Sequence, residues 1–206
     1  MRTTVIDYKA GNLTSVLKAL RYLGAEVEVT DNDISMIENA ERLVLPGVGH
    51  FAATRRLDES GLAPAMRAAI QKGTPFLGIC VGMQWLYSGS SEAPQQPGLG
   101  CFSESCARFP ECGEKVPHVG WNSIEPVLHS RLLAGIDPGS YMYFTHSFRA
   151  PVTADTCAVT SYIESFAAAV ERGNVMGVQF HPEKSSTAGL SILRNFLQWK
   201  PEGNGC

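Results

Sequence analysis

Three short stretches hold the residues able to do covalent chemistry. The first is Gly78-Ile79-Cys80-Val81-Gly82, directly after the apolar run Pro75 to Ile79. A nucleophile with glycines two positions before and two after is the pattern of a tight strand-to-helix elbow. Side chains at the flanking positions would clash across so sharp a turn, so glycine is needed at both. Met83, Leu86 and Tyr87 then begin a helix. The free N–H groups and dipole at its start favour a thiolate on Cys80. The second stretch is Val175 to Glu183, a buried strand that delivers His181 and Glu183 at its end. An imidazole with an ordinary pKa near 6.5 can take a proton from a thiol and return it to a leaving amine. A carboxylate on its other nitrogen fixes the tautomer and stabilises the imidazolium. Pro182 stiffens the link between them. The third stretch, Pro46-Gly47-Val48-Gly49, has backbone mobile enough to aim an N–H. With the N–H of Val81, an N–H from this stretch would form an oxyanion hole, each such donor contributing about 2.7–4 kcal/mol to the barrier. The chemistry is thioester formation at a carbonyl with loss of an amine. Taken singly, each stretch also reads as a strand-end turn.

The elements around these stretches alternate. Thr3 to Ile6 predicts a strand, and Leu13, Val16, Leu17, Leu20 and Leu23 a helix stopped by Gly24. Val27 to Val29 is strand-like, Ile34 to Glu38 a short helix, and Arg42 to Leu45 a strand stopped by Pro46-Gly47. Leu62 to Ile70 reads as a helix and Thr74 to Ile79 as a buried strand. This rhythm predicts an α/β fold: an open, mostly parallel sheet with helices on both faces. In such sheets catalytic groups gather at the carboxyl ends of the strands. The C-terminal half adds antiparallel strands at Tyr141 to Phe148, Thr156 to Tyr162, Phe166 to Val170 and Val175 to Phe180, with a hairpin turn at Arg172-Gly173-Asn174. A final helix spans about Thr187 to Trp199, and Ser88 to Gly100 reads as a loop, as does the Gly-flanked Trp121-Asn122. No internal repeat or long linker divides the chain, so residues 1–206 are expected to form one domain.

Composition narrows the class. The chain has 206 residues, 44% hydrophobic and 18% charged, which excludes disorder and coiled coil. With 17 Lys and Arg against 20 Asp and Glu, and no long basic run, nucleic acid and acidic membranes are not expected partners. No apolar stretch reaches the ~20 residues of a membrane span, and Met1 to Asp7 carries no secretory h-region. The cysteines Cys80, Cys101, Cys106, Cys112, Cys157 and Cys206 form no CxxC pair and no zinc-finger spacing, so reduced thiols in the cytoplasm are expected. No metal or cofactor is called for.

The three stretches, in this order, resemble the class I (triad-type) glutamine amidotransferases along essentially the whole chain, with the flavodoxin-like sheet of that family. Asp7-Tyr8-Lys9-Ala10-Gly11-Asn12, Val116-Pro117-His118-Val119-Gly120-Trp121-Asn122 and His181-Pro182-Glu183-Lys184-Ser185-Ser186 narrow the likeness to the glutaminase subunits of imidazole glycerol phosphate synthase, in histidine biosynthesis. The resemblance implies hydrolysis of glutamine to glutamate and ammonia through a Cys80 thioester. The ammonia would pass to a (β/α)8-barrel synthase subunit, the heterodimeric partner. By matching position, Cys80 is nucleophile, His181 acid and base, and Glu183 its orienter. The Val48 and Val81 backbones would hold the oxyanion. Gly49, Gln84, Ser147 and Phe148 match positions that bind glutamine, and Asn12, Trp121, Tyr143 and Lys184 match positions that face the partner. Val81, Val119 and Phe148 depart from the family's usual Leu, Met and Tyr, which are conservative changes. The stretch Cys101 to Cys112 has no recognisable counterpart.

Other readings stay open on the residues alone. Tyr141, Tyr143, Phe144 and Phe148 form an aromatic strand that also suits a core, and His146 among them reads as a satisfied strand histidine. A different synthase's glutaminase, an intracellular cysteine peptidase, or a non-catalytic binding subunit would share the same framework.

Overall fold

In the computed structural model, residues 1–10 and 13–200 are described. The N-terminal strands form as the apolar runs predict: β1 (Arg2–Ile6), β2 (Glu26–Thr30), β3 (Leu43–Gly47) and β4 (Phe76–Cys80). They alternate with α1 (Thr14–Tyr22), α2 (Ile34–Glu38), α3 (Arg55–Glu59) and α4 (Leu62–Gln71). After β4 come α5 (Val81–Trp85) and two short strands, β5 (Gly89–Ser90) and β6 (Ser105–Arg108). The C-terminal half holds β7 (His118–Pro126), β8 (Ser140–His146), β9 (Phe148–Arg149), β10 (Thr156–Tyr162), β11 (Glu164–Arg172), β12 (Val175–Val178) and α6 (Ser186–Gln198).

The main sheet has the order β2-β1-β3-β4-β12-β11-β10-β7-β8. Pairing from β2 to β12 is parallel and from β12 onward antiparallel. The fold class is therefore the mixed α/β sheet expected. The helices sit on its two faces, α1 beside α6 and α2 and α3 beside α4. The central strands β3, β4 and β12 are buried along their whole length, as strands covered on both faces must be.

Two expectations need correction. Strand β3 does not stop before Pro46-Gly47; Pro46 pairs with Ile79 and Gly47 with Cys80. Leu43 donates toward β4, to Pro75 O. By alternation the N–H that Pro46 lacks would face β1, where pairing ends at Val44. No ladder bond is lost, so proline is tolerated. The segment around Trp121 is not a loop either. It is β7, paired residue for residue with β8 from His118↔His146 to Ile124↔Ser140. Its glycine, asparagine and serine gave no strand signal, and the aromatic partner strand supplies the pairing.

The far edge of the sheet curls back on its middle. The N–H of His181, just past β12, donates to Tyr143 O on β8 at 2.9 Å, and Tyr143 N–H donates to Ser185 Oγ at 2.9 Å. Those bonds hold β8 against the ends of β4 and β12.

Candidate active site

Strand β4 ends at Cys80 with φ 54° and ψ −110°, a conformation L-residues rarely adopt. The flanking glycines permit it. A Cβ on Gly82 would lie 1.8 Å from Leu45 O, and one on Gly78 would lie 2.5 Å from Gly82 O. Cys80 is 3% exposed and opens α5, so its sulfur stands at the carboxyl edge of the sheet.

β12 lies beside β4 in parallel register, Val178 opposite Ile79. The chain continues three residues to His181, which therefore arrives next to Cys80. His181 Nδ1 and Glu183 Oε1 are 2.9 Å apart, with both side chains buried. Their remaining polar atoms, His181 Nε2 and Glu183 Oε2, have no hydrogen-bond partner among the described residues. Burial alone would lower the imidazole's pKa, but interaction with Cys80 and with Glu183 outweighs it and raises the value above the ordinary one. The sulfur and the ring thus interact without a completed hydrogen bond. Buried polar atoms left unpaired beside a nucleophile are suited to a reacting group. The structure brings together the three residues on which the sequence reading rests.

The other predicted residues fall into two groups. Val48, Gly49, Cys80, Val81, Gln84, Ser147 and Phe148 together line a cavity of about 210 Å³. Val81 N–H, at the first turn of α5, has no carbonyl one turn behind it to bond. Val48 N–H instead donates to Ala10 O at 3.0 Å and is turned away from Cys80's cavity in this conformation. Gln84 donates both amide hydrogens inside the protein, to Phe148 O at 2.8 Å and Gln179 Oε1 at 3.1 Å. Only its carbonyl oxygen is left for a ligand. Trp121, Tyr143 and Lys184 gather on the nearby surface. Trp121 is 53% exposed and packs edge-on to Tyr143, whose ring lies 5.7 Å from Lys184 Nζ. Asn12 lies outside the described residues.

Three residues here were missed from the sequence. Glu92 is the carboxylate lining the cavity, held by Phe51 N–H at 2.7 Å. It stands in the Ser88 to Gly100 segment, whose turn-rich composition concealed it. Gln179 is fully buried and donates from Nε2 to Cys80 Sγ at 3.7 Å. An unusual polar residue inside an apolar strand was its only signal. Tyr8 buries a hydroxyl against Gly47 with no partner among the described residues; burial, then the charge of Cys80, raises its pKa.

The family model for glutamine amidotransferase class-I matches residues 4–199. The chain belongs to the class-I glutamine amidotransferases. This amidotransferase is 44% identical over 200 residues to the imidazole glycerol phosphate synthase subunit HisH of Aquifex aeolicus, covering 95% of this chain and 96% of that one. It is 47% identical over 207 residues to the HisH subunit of Salinibacter ruber, covering 94% and 93%. Among solved structures it is similar to a glutamine amidotransferase with a TM-score of 0.74 at 21% identity, covering 95% and 96% of the two chains. It is similar too to PurLQS from Thermotoga maritima, with a TM-score of 0.72 at 18% identity, covering 95% and 97%. At those identities the likeness speaks to the fold. The protein is thus an enzyme, a glutamine amidotransferase, and among the described residues no helix is long and apolar enough to cross a membrane.

Proposed function

We propose that this amidotransferase is the glutaminase subunit of an imidazole glycerol phosphate synthase and works as one domain. The observation that carries the reading is the chain-long likeness to HisH subunits; the approach of Cys80 to His181 supports its chemistry. Cys80 thiolate attacks the side-chain carbonyl carbon of glutamine, and the oxyanion takes the Val81 N–H. The imidazolium gives its Nε2 proton to the amide nitrogen, the C–N bond breaks, and ammonia leaves. A water then gives its proton to Nε2 as its oxygen attacks the thioester, and glutamate departs with the thiolate restored. Glu183 holds Nδ1–H throughout. In the cavity Glu92 suits the substrate's α-ammonium, and Gly49, Ser147 and Phe148 supply backbone for its carboxylate.

The second oxyanion donor is withheld. For Val48 N–H to reach the oxyanion, its bond to Ala10 O must break and the peptide must turn. Gly47 and Gly49 (φ 126°) flank it and give that freedom. In this reading the (β/α)8-barrel synthase subunit docks on Trp121, Tyr143 and Lys184, favours the turned state and receives the ammonia.

The experiment is ammonia release from glutamine by the chain alone and with a candidate barrel subunit. Release is expected to be slow alone and to rise with the partner. Cys80→Ala is expected to abolish glutamine-dependent synthesis by the complex while ammonium-dependent synthesis persists. Failure of ammonium to rescue that variant would overturn the division of labour.

A further inference from the structure

The carbonyl of Phe148 sets the direction of a buried hydrogen-bond chain that ends on the nucleophile. A carbonyl oxygen only accepts. Gln84 must therefore present nitrogen to it, at 2.8 Å, and the same nitrogen sends its other hydrogen to Gln179 at 3.1 Å. The Gln179 atom that receives it must be Oε1. What Gln179 then turns to Cys80 Sγ, at 3.7 Å, is necessarily an N–H. Both glutamines are buried, at 2% and 0% exposure, so water does not compete for these groups.

A second arm fixes the Phe148 carbonyl from the other side. His146 Nδ1 lies 2.9 Å from it and must carry a hydrogen. His146 Nε2 is then bare and accepts from His118 Nδ1 at 3.2 Å. His118 Nε2 accepts in turn from Asn122 Nδ2 at 3.4 Å. Asn122 is itself oriented by Ser123 N–H on its oxygen at 2.9 Å. Each donor along the arm points toward Phe148, so the carbonyl cannot turn away without breaking a run of bonds.

We propose that Gln179 is a catalytic residue of this glutaminase, a hydrogen-bond donor that stabilises the Cys80 thiolate, with Gln84 and the Phe148 carbonyl as its positioning groups. The inference rests on Cys80 being the nucleophile. A thiol is a weak acceptor and a thiolate a strong one, so an N–H aimed at sulfur favours the charged form. The contact on another side works the opposite way. Thr145 O, 3.9 Å from Sγ, can only accept and so favours the neutral thiol. Gln179 offsets it. Among the described residues, the titratable groups interacting with the sulfur are His181, with Glu183 behind it, and Tyr8 from the segment after β1; Glu92 and His146 line the same cavity. None of them donates to sulfur from the position of the Gln179 side chain, buried just past the end of β12.

The test is the pH profile of Cys80 alkylation by iodoacetamide, read on the Cys80 peptide by mass spectrometry so that the exposed Cys112 does not contribute. Gln179→Met keeps the side chain's length and removes the donor; Gln179→Glu keeps its shape and replaces the N–H with oxygen. Both are expected to move the profile up by about one pH unit, roughly a tenfold loss of rate at neutral pH. In the unsubstituted protein the Gln179 side-chain amide proton is expected to shift in NMR spectra with the same midpoint as the alkylation profile, and not in Cys80→Ala. This needs no folded Gln179 variant. An amide resonance that ignores Cys80 ionisation, or folded variants that react on the original profile, would overturn the proposal. An unsubstituted Cys80 that no glutamine-mimicking electrophile labels would overturn the nucleophile reading instead.

Discussion

Cys80 occupies a backbone conformation that costs an L-residue on the order of 1–3 kcal/mol, and three partners of different kinds surround its sulfur. The elbow lifts the thiol out of the sheet plane, His181 and Gln179 favour its anion, and Thr145 O favours its proton. Two histidines near by do the reverse of His181. Burial pushes His118 down to about 4, and burial, then the charges of His118 and His181, push His146 down to about 3 against the bond to Phe148 O. Both are neutral at pH 7, as the relay toward Phe148 requires. The unfolded chain, with its histidines near 6.5, binds more protons than the folded one between about pH 6.5 and those lower values. The contribution of these two histidines is therefore full above pH 6.5 and is lost as pH falls toward 4 and 3, whereas that of His181, raised to about 10, is full below pH 6.5 and is lost as pH rises. His146 alone is expected to cost about 2 kcal/mol on moving from pH 7 to pH 5. Thermal melts at the two pH values check it: His146→Asn should lose less between them than the unsubstituted protein, and an equal loss would contradict the assignment.

At the scale of elements, strand ends position the chemistry. Parallel β4 and β12 place Cys80 and His181 side by side, and β8 closes over them through the Tyr143 bonds to His181 and Ser185. Helix α5 can begin directly at Cys80 only because its first turn lies against β3. Gly82→Ala would set a methyl 1.8 Å from Leu45 O, a backbone atom that cannot swing aside. The expected loss is about 3 kcal/mol or more, with Cys80 displaced. Chemical denaturation measures the first and Cys80 alkylation the second; a variant as stable and reactive as the parent would show that the elbow relaxes freely. Both element-level corrections have the same origin. Pro46 and the Gly120-Asn122 run break strand rules that apply to a strand taken alone. Their neighbours decide: an unpaired flank beside Pro46, and a full antiparallel ladder beside Trp121.

On the whole molecule, the catalytic edge and the aromatic surface patch adjoin. Tyr143 is shared between them, its backbone bonded to His181 and its ring packed with Trp121 and facing Lys184. Val119, Trp121 and Tyr141 are 58%, 53% and 63% exposed along β7 and β8, a concentration of large side chains that suits a partner surface. Trp121→Ala is expected to weaken binding of the proposed barrel subunit by about 2 kcal/mol, roughly 30-fold in Kd, as for a central aromatic anchor. Titration calorimetry reads it directly, and unchanged affinity would remove Trp121 from the docking surface.

The class of fold and the amidotransferase family were legible in the residues alone, as were the side chains to which the proposed chemistry is assigned. A cysteine between glycines, a histidine joined to a glutamate by proline, and alternating apolar runs are local patterns, and local sterics and periodicity dictate what they form. The sequence did not disclose Gln179, Glu92 or the direction of the Val48 N–H. Gln179 follows an apolar strand and Glu92 lies in a polar segment, and neither spacing points at Cys80. Val48 can bond Ala10 or an oxyanion with the same local sequence. Only the folded chain sets which donor meets which acceptor, because a hydrogen bond's direction depends on atoms that tertiary packing brings within 3 to 4 Å.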